Sequence, residues 1–126
     1  MTQRAAALAG VLLCAPAAAQ EVDIGTGAVL RGLEKVDGHV EDIALDTGET
    51  ATFGRLRIEL LECRYPDGNP QADAFAYLMI TEPDAGAPRF AGWMIASAPA
   101  LNALEHPRYD VWVLRCRTAT GSGSSG

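Results

Sequence analysis

From residue 28 to residue 117 the apolar positions fall in short runs separated by Gly, Pro, Asp and Asn, which predicts strands joined by turns. Val29, Leu33 and Val36 belong to a first run, with Gly32 marking a bend inside it. Asp37-Gly38 is a hairpin signal, and His39 to Asp46 follows as a second strand with Val40 and Ile43 out of strict alternation. Asp46 to Glu49 is the next turn, Thr50 to Phe53 a short strand, and Gly54 its break. Arg55 to Cys63 is the cleanest strand: Leu56, Ile58 and Leu60 share one face, and Arg55, Arg57 and Glu59 the other. The phase then slips, and a bulge near Leu60-Leu61 would aim Cys63 inward.

Residues 64–73 are a loop with two prolines. Ala74 to Thr81 and Arg89 to Ala96 are apolar on both faces, as central strands are, with a turn at residues 82–88 between them. Ser97 is placed as an N-cap and Pro99 in a first helical turn, so a short helix is expected near 98–105, ended by Pro107. Val111 to Arg117 is the last strand, with Trp112, Leu114 and Cys116 on one face. Trp93 and Trp112 are expected in the core; Tyr65 and Tyr109, beside loops, are expected at the surface. The fold class is all-β: a small single-domain sandwich or partly open barrel of six or seven short strands with one short helix.

The two ends depart from this pattern. Arg4, the apolar run from Ala5 to Leu13 and the small residues Ala17 to Ala19 have the layout of an export signal over residues 1–19. That run is too short for the roughly 20 residues a membrane span needs, so no span is expected after cleavage. Residues 20–27 serve as a leader, residues 28–117 as the β domain, and residues 118–126 as a flexible Gly/Ser tail. Net charge is −6, and loss of Arg4 with the signal makes it more negative, which argues against nucleic acid and anionic membrane surfaces as partners. Cys14 leaves with the signal. Cys63 and Cys116 remain as an even pair for an oxidising compartment, so a disulfide between them is expected in a periplasmic or secreted protein.

Long motifs carry a resemblance. Phe90 to Met94 (F-x-G-W-M), Ala96 to Leu101 (A-S-x-P-A-L), Ala103 to Pro107 (A-L-E-H-P) and Tyr109 to Cys116 (Y-D-V-W-V-x-x-C), together with Phe53 to Cys63, resemble domain of unknown function 2155. That family comprises small secreted proteins of Gram-negative bacteria. The resemblance implies export, a single domain and a Cys–Cys pair. It assigns no catalytic residue.

Candidate chemistry concentrates at one Pro-bounded corner. Glu105, His106, Arg108, Tyr109 and Asp110 combine charge and aromaticity, and a His flanked by carboxylates has acid–base range. The structural alternative is a helix end at Glu105-His106, where the imidazole faces the helix dipole and bonds the last carbonyls, with Tyr109 as a corner residue and Asp110 as a turn residue. Two histidines far apart and two cysteines spent on a disulfide point to no metal site, and no cofactor is expected. Asp67, Asn69 and Asp73 do not match an EF-hand loop, and Ser97 lacks a nucleophile elbow. The expected function is a non-catalytic binding or accessory domain whose partner is an envelope protein or cell-wall component. The alternative is a small envelope glycan hydrolase using carboxylates at the Glu105–Asp110 corner. If the N-terminal stretch is an export signal, intact mass of the exported protein will place its first residue near Gln20; a species retaining Cys14 refutes this.

Overall fold

A computed structural model describes residues 21–119 and, before them, Gly10 alone. The expected signal over residues 1–19, with Cys14, and most of the expected tail lie outside the described residues. Eight strands form: β1 (Val22–Ile24), β2 (Gly27–Glu34), β3 (Val40–Asp46), β4 (Thr50–Phe53), β5 (Leu56–Pro66), β6 (Phe75–Thr81), β7 (Phe90–Ile95) and β8 (Tyr109–Arg117). They make two antiparallel sheets, one ordered β1-β5-β6-β7 with β4 also on β5, the other β3-β2-β8. The two sheets face each other as a small sandwich, not a closed barrel. The strand missing from the six or seven expected is β1, in the Gly-rich stretch assigned to a leader. Three residues with one half-buried position give no periodic signal; pairing with the end of β5 orders them.

The expected helix near 98–105 is absent: residues 96–102 form successive turns. Ser97 does not cap a helix. Its N–H and hydroxyl both donate to the Asp73 carboxylate, at 3.0 and 2.7 Å. Asn102 Nδ2 donates to the Trp93 carbonyl at 2.9 Å, holding the segment against β7. A two-turn helix is too short to repay its nucleation alone, and these side-chain bonds favour turns.

Inward positions form one core. Leu56, Ile58, Leu60, Ala76, Leu78 and Ile80 from one sheet meet Ala28, Leu30, Val111 and Val113 from the other, all essentially inaccessible. β6 lies between β5 and β7, as its two apolar faces predict, but β7, expected to be central on the same ground, is the edge strand of its sheet. Its second apolar face is half-covered by Tyr77 against Trp93 rather than by a further strand. The bulge near Leu60-Leu61 is present: Leu60 pairs with Leu78, Glu62 with Tyr77, and Leu61 is the extra residue. It turns Cys63 inward.

A second bulge corrects the expected facing of β8. Leu30 pairs with Val113 and Val29 with Arg115, so Leu114 is extra. Val111 and Val113 therefore point inward, Trp112 and Leu114 are half-buried on the outer side, and Cys116 returns to the core. Each cysteine thus sits two residues beyond a bulge. Their cross-strand neighbours are Ala76 and Ala28, small enough to leave room between the sheets. The Cys63–Cys116 disulfide, with Cα atoms 5.7 Å apart, ties β5 to β8 across the sandwich.

Native protein should show no free thiol among the described cysteines by thiol titration. Cys63→Ser should lower unfolding free energy in denaturant titrations by roughly 2–4 kcal/mol, since the loop closed is long. A loss below about 1 kcal/mol would show that the sheets hold their mutual position without the bond.

Candidate functional site

The corner from Glu105 to Asp110 does not act as one surface. Tyr109, expected exposed, is 1% exposed. Its ring meets Phe53 edge-on at 5.8 Å, and its hydroxyl accepts the Arg55 N–H at 3.2 Å. Gly54 makes that fit possible: its φ is +57°, and a Cβ there would come within 2.5 Å of the Tyr109 hydroxyl. β8 alternation explains the burial, because Tyr109, Val111 and Val113 share a face.

The His106 side chain is only 6% exposed. Its Nδ1 accepts the backbone N–H groups of Arg108 and Tyr109 at 3.0 and 3.3 Å. That network assigns the ring proton to Nε2, which lies 3.3 Å from Glu82 Oε2. Glu82 also accepts from Arg89 Nε at 2.7 Å, with Arg55 Nε at 3.8 Å. Burial pushes the Glu82 carboxyl up, but hydrogen bonds from His106 and Arg89 and the Arg89 charge outweigh it and hold the carboxyl below the usual glutamate range. Arg108 pairs with Glu34 at 2.6 Å, and Lys35 Nζ donates to the His106 carbonyl at 3.0 Å. His106 thus joins the end of β6 to the start of β8, with both ring nitrogens engaged. Glu82 was invisible as a site residue in sequence, where it was merely the first residue of a turn.

Asp110 separates from this cluster. It lines a groove of about 360 Å³ with Trp112, Pro99, Ala100 and Ala103. The Asp110 carboxylate makes no hydrogen bond or ion pair among the described residues. Glu105 is exposed, and it lines neither the groove nor the His106–Glu82 contact. Trp112 escaped sequence reasoning as a surface residue because the bulge at Leu114, not the apolar pattern, decides its side.

A second aromatic surface lies on the outer side of β6 and β7. Tyr77 meets Trp93 edge-on at 5.3 Å, so Trp93, like Trp112, is half-buried rather than core. The Arg64 guanidinium stands 5.0 Å over the Trp93 ring and bonds Glu62 at 3.0 Å. Arg64 Nε is buried without a partner, a local cost the stacking offsets. Val22, Phe75 and Ile95 complete a groove of about 440 Å³. This cation is already matched by ring and carboxylate.

The residues weighed for calcium do not converge. Asp73 is taken by Ala74 and Ser97, and Asn69 accepts the Gln71 N–H. Asp67 instead shares a hydrogen bond with Asp23, which, with the Asp23 charge, holds its carboxyl above the usual range. Among the described residues no three His, Cys, Asp or Glu side chains are grouped to hold a metal ion.

Because the folded chain holds Glu82 below its ordinary pKa, the unfolded chain binds that proton more readily. The stabilisation is present above about pH 4.3 and is lost as pH falls through the depressed folded value. Denaturant midpoints measured from about pH 6 to about pH 3 should fall more steeply in the wild type than in Glu82→Gln; parallel curves would refute a stabilising carboxylate.

Residues 28–116, which take in every strand from β3 to β7 and most of β2 and β8, match the family model described as "Uncharacterized protein conserved in bacteria (DUF2155)". The uncharacterized protein RP359 of Rickettsia prowazekii is 30% identical over 94 residues, covering 72% of this chain and 61% of that protein. The chain therefore aligns with less than two thirds of that relative's length. No solved structure matches. On the extent of the family match, the chain belongs to the DUF2155 family.

Proposed function

We propose that this protein is a non-catalytic binding domain of the bacterial envelope, exported to the periplasm, with its binding surface along β8. Export is supported by the signal-like residues 1–19 and by a disulfide suited to an oxidising compartment. The observation that carries the binding role is the groove beside β8, where the Trp112 indole and the Asp110 carboxylate meet Pro99, Ala100 and Ala103. The β8 backbone itself is not the template, since Tyr109, Val111 and Val113 are inaccessible. An apolar groove with one charged group is a surface for a partner's side chains.

The corner supports binding better than hydrolysis. Its histidine is committed to Glu82 and to backbone, and Asp110 lines a groove that Glu105 does not. A general acid and base would need to meet over one substrate bond.

A photo-crosslinker placed at Ala103 should join the domain to one envelope protein. That protein, once purified, should bind the domain, and Trp112→Ala should weaken the binding by about tenfold while the chain stays folded. A purified partner that binds Trp112→Ala as tightly as the wild type, or glycan turnover abolished by Asp110→Asn, overturns the proposal.

A further inference from the structure

We infer that β1 and the Gly25 crossing after it form a strap over the Cys63–Cys116 bond, and that a dithiol reductant reaches this bond by local release of the strap, not by unfolding of the sandwich. Both cysteines are inaccessible, so part of the chain must move before a thiol can reach either sulfur. Gly25 lies against both residues. Its N–H donates to the Cys63 carbonyl at 2.7 Å, and the next N–H, that of Thr26, donates to the Arg117 carbonyl at 2.9 Å. The chain thus crosses from the end of β5 to the end of β8 beside the bond. A Cβ at Gly25 would come within 2.7 Å of the Arg117 carbonyl oxygen and 3.1 Å of the Cys116 Cβ. Close approach requires the glycine here, since its backbone is not in the left-handed region.

The strap is lightly held. β1 has three residues, pairs with β5 alone, and leaves Val22 and Ile24 40% and 66% exposed. With so few buried contacts, its local opening needs less free energy than the global transition. Its charges also oppose closure. The Asp23 carboxylate accepts the Gly68 N–H at 3.0 Å, but the hydrogen bond and charge of Asp23 hold the neighbouring Asp67 carboxyl above its usual range, with the Glu21 charge adding. At neutral pH these carboxylates repel across the seam between β1 and the turn after β5. The main core is separate from this seam: Ile58 pairs with Ile80, four residues along β6 from Ala76, the cross-strand neighbour of Cys63.

Once the strap lifts, a thiolate of the reductant bonds to one cysteine sulfur as the S–S bond breaks and its electron pair leaves on the other cysteine. The second thiol of the reductant then displaces the first cysteine. Both protons of the reductant end on the cysteines, now thiols, and the reductant is left as a cyclic disulfide. Formation of the bond is the same exchange reversed, so oxidation precedes closure of the strap.

Dithiothreitol is the probe, added to the full folded chain, with reduction followed by iodoacetamide alkylation and mass spectrometry beside urea unfolding of the same proteins. Gly25→Ala should be reduced about tenfold faster, because the added methyl group strains only the closed strap. Ile80→Val, a core truncation away from the strap, should lower the urea midpoint and leave the rate of reduction in the absence of urea unchanged. Asp67→Asn, which removes a like charge from the seam, should slow reduction about twofold, a direction no misfolded chain would give. Reduction of Gly25→Ala at the wild-type rate overturns the inference, because the strap then does not guard the bond; if that variant does not fold, an unchanged rate in Asp67→Asn does the same. Reduction of Ile80→Val that quickens in step with its unfolding also overturns it, because thiols then enter only through the unfolded chain.

Discussion

Everything in this small sandwich depends on two sheets keeping their apolar faces in phase across a thin core. A covalent tie enforces this at one end of β8, where Cys116 reaches Cys63 on the opposite sheet. At the other end Tyr109 is wedged against Phe53 and Gly54, and His106 reaches Glu82 just beyond β6. Between these anchors Val111 and Val113 supply apolar contact without polar specificity. The chain-entropy gain from a loop of this length is about 4 kcal/mol, against a typical total stability of about 5–15 kcal/mol. A domain with so few layers cannot spare that tie.

The two bulges are the geometric device that makes the tie possible. In β5 the even positions Leu56, Ile58 and Leu60 face inward, and Cys63 joins them only because Leu61 is extra. In β8 Val111 and Val113 face inward, and Cys116 joins them only because Leu114 is extra. Bulges bend a strand and increase its twist, which suits strands that must converge at one end of a sandwich. The same device that places Cys116 inside leaves Trp112 outside, at a flank no strand covers.

Surface chemistry then divides cleanly. The Glu82–His106–Arg108 cluster is consumed by internal bonds and serves packing. Arg64 over Trp93 is matched by Glu62. Asp110 beside Trp112 makes no hydrogen bond or ion pair among the described residues. Coincidence of an unpaired charge and an indole in one groove is what points to a partner there.

The chain itself determined the all-β class, the Asp37-Gly38 hairpin, the central place of β6, the bulge before Cys63 and the cysteine pairing, because each follows from local alternation, turn chemistry or parity. Tertiary structure alone decided four matters. β1 exists because β5 offers an edge, not because Val22–Ile24 has a pattern. Residues 98–105 turn rather than coil because Asp73 and Asn102 bind across the chain. Tyr109 is buried because a glycine from a distant turn leaves room for its ring. Trp112 faces out because a bulge at Leu114, hidden in a run where every residue but one is apolar from Val111 to Cys116, shifts the phase. Alternation can locate a slip only when polar residues mark the outer face, and in β8 Trp112 and Leu114 leave that face unmarked.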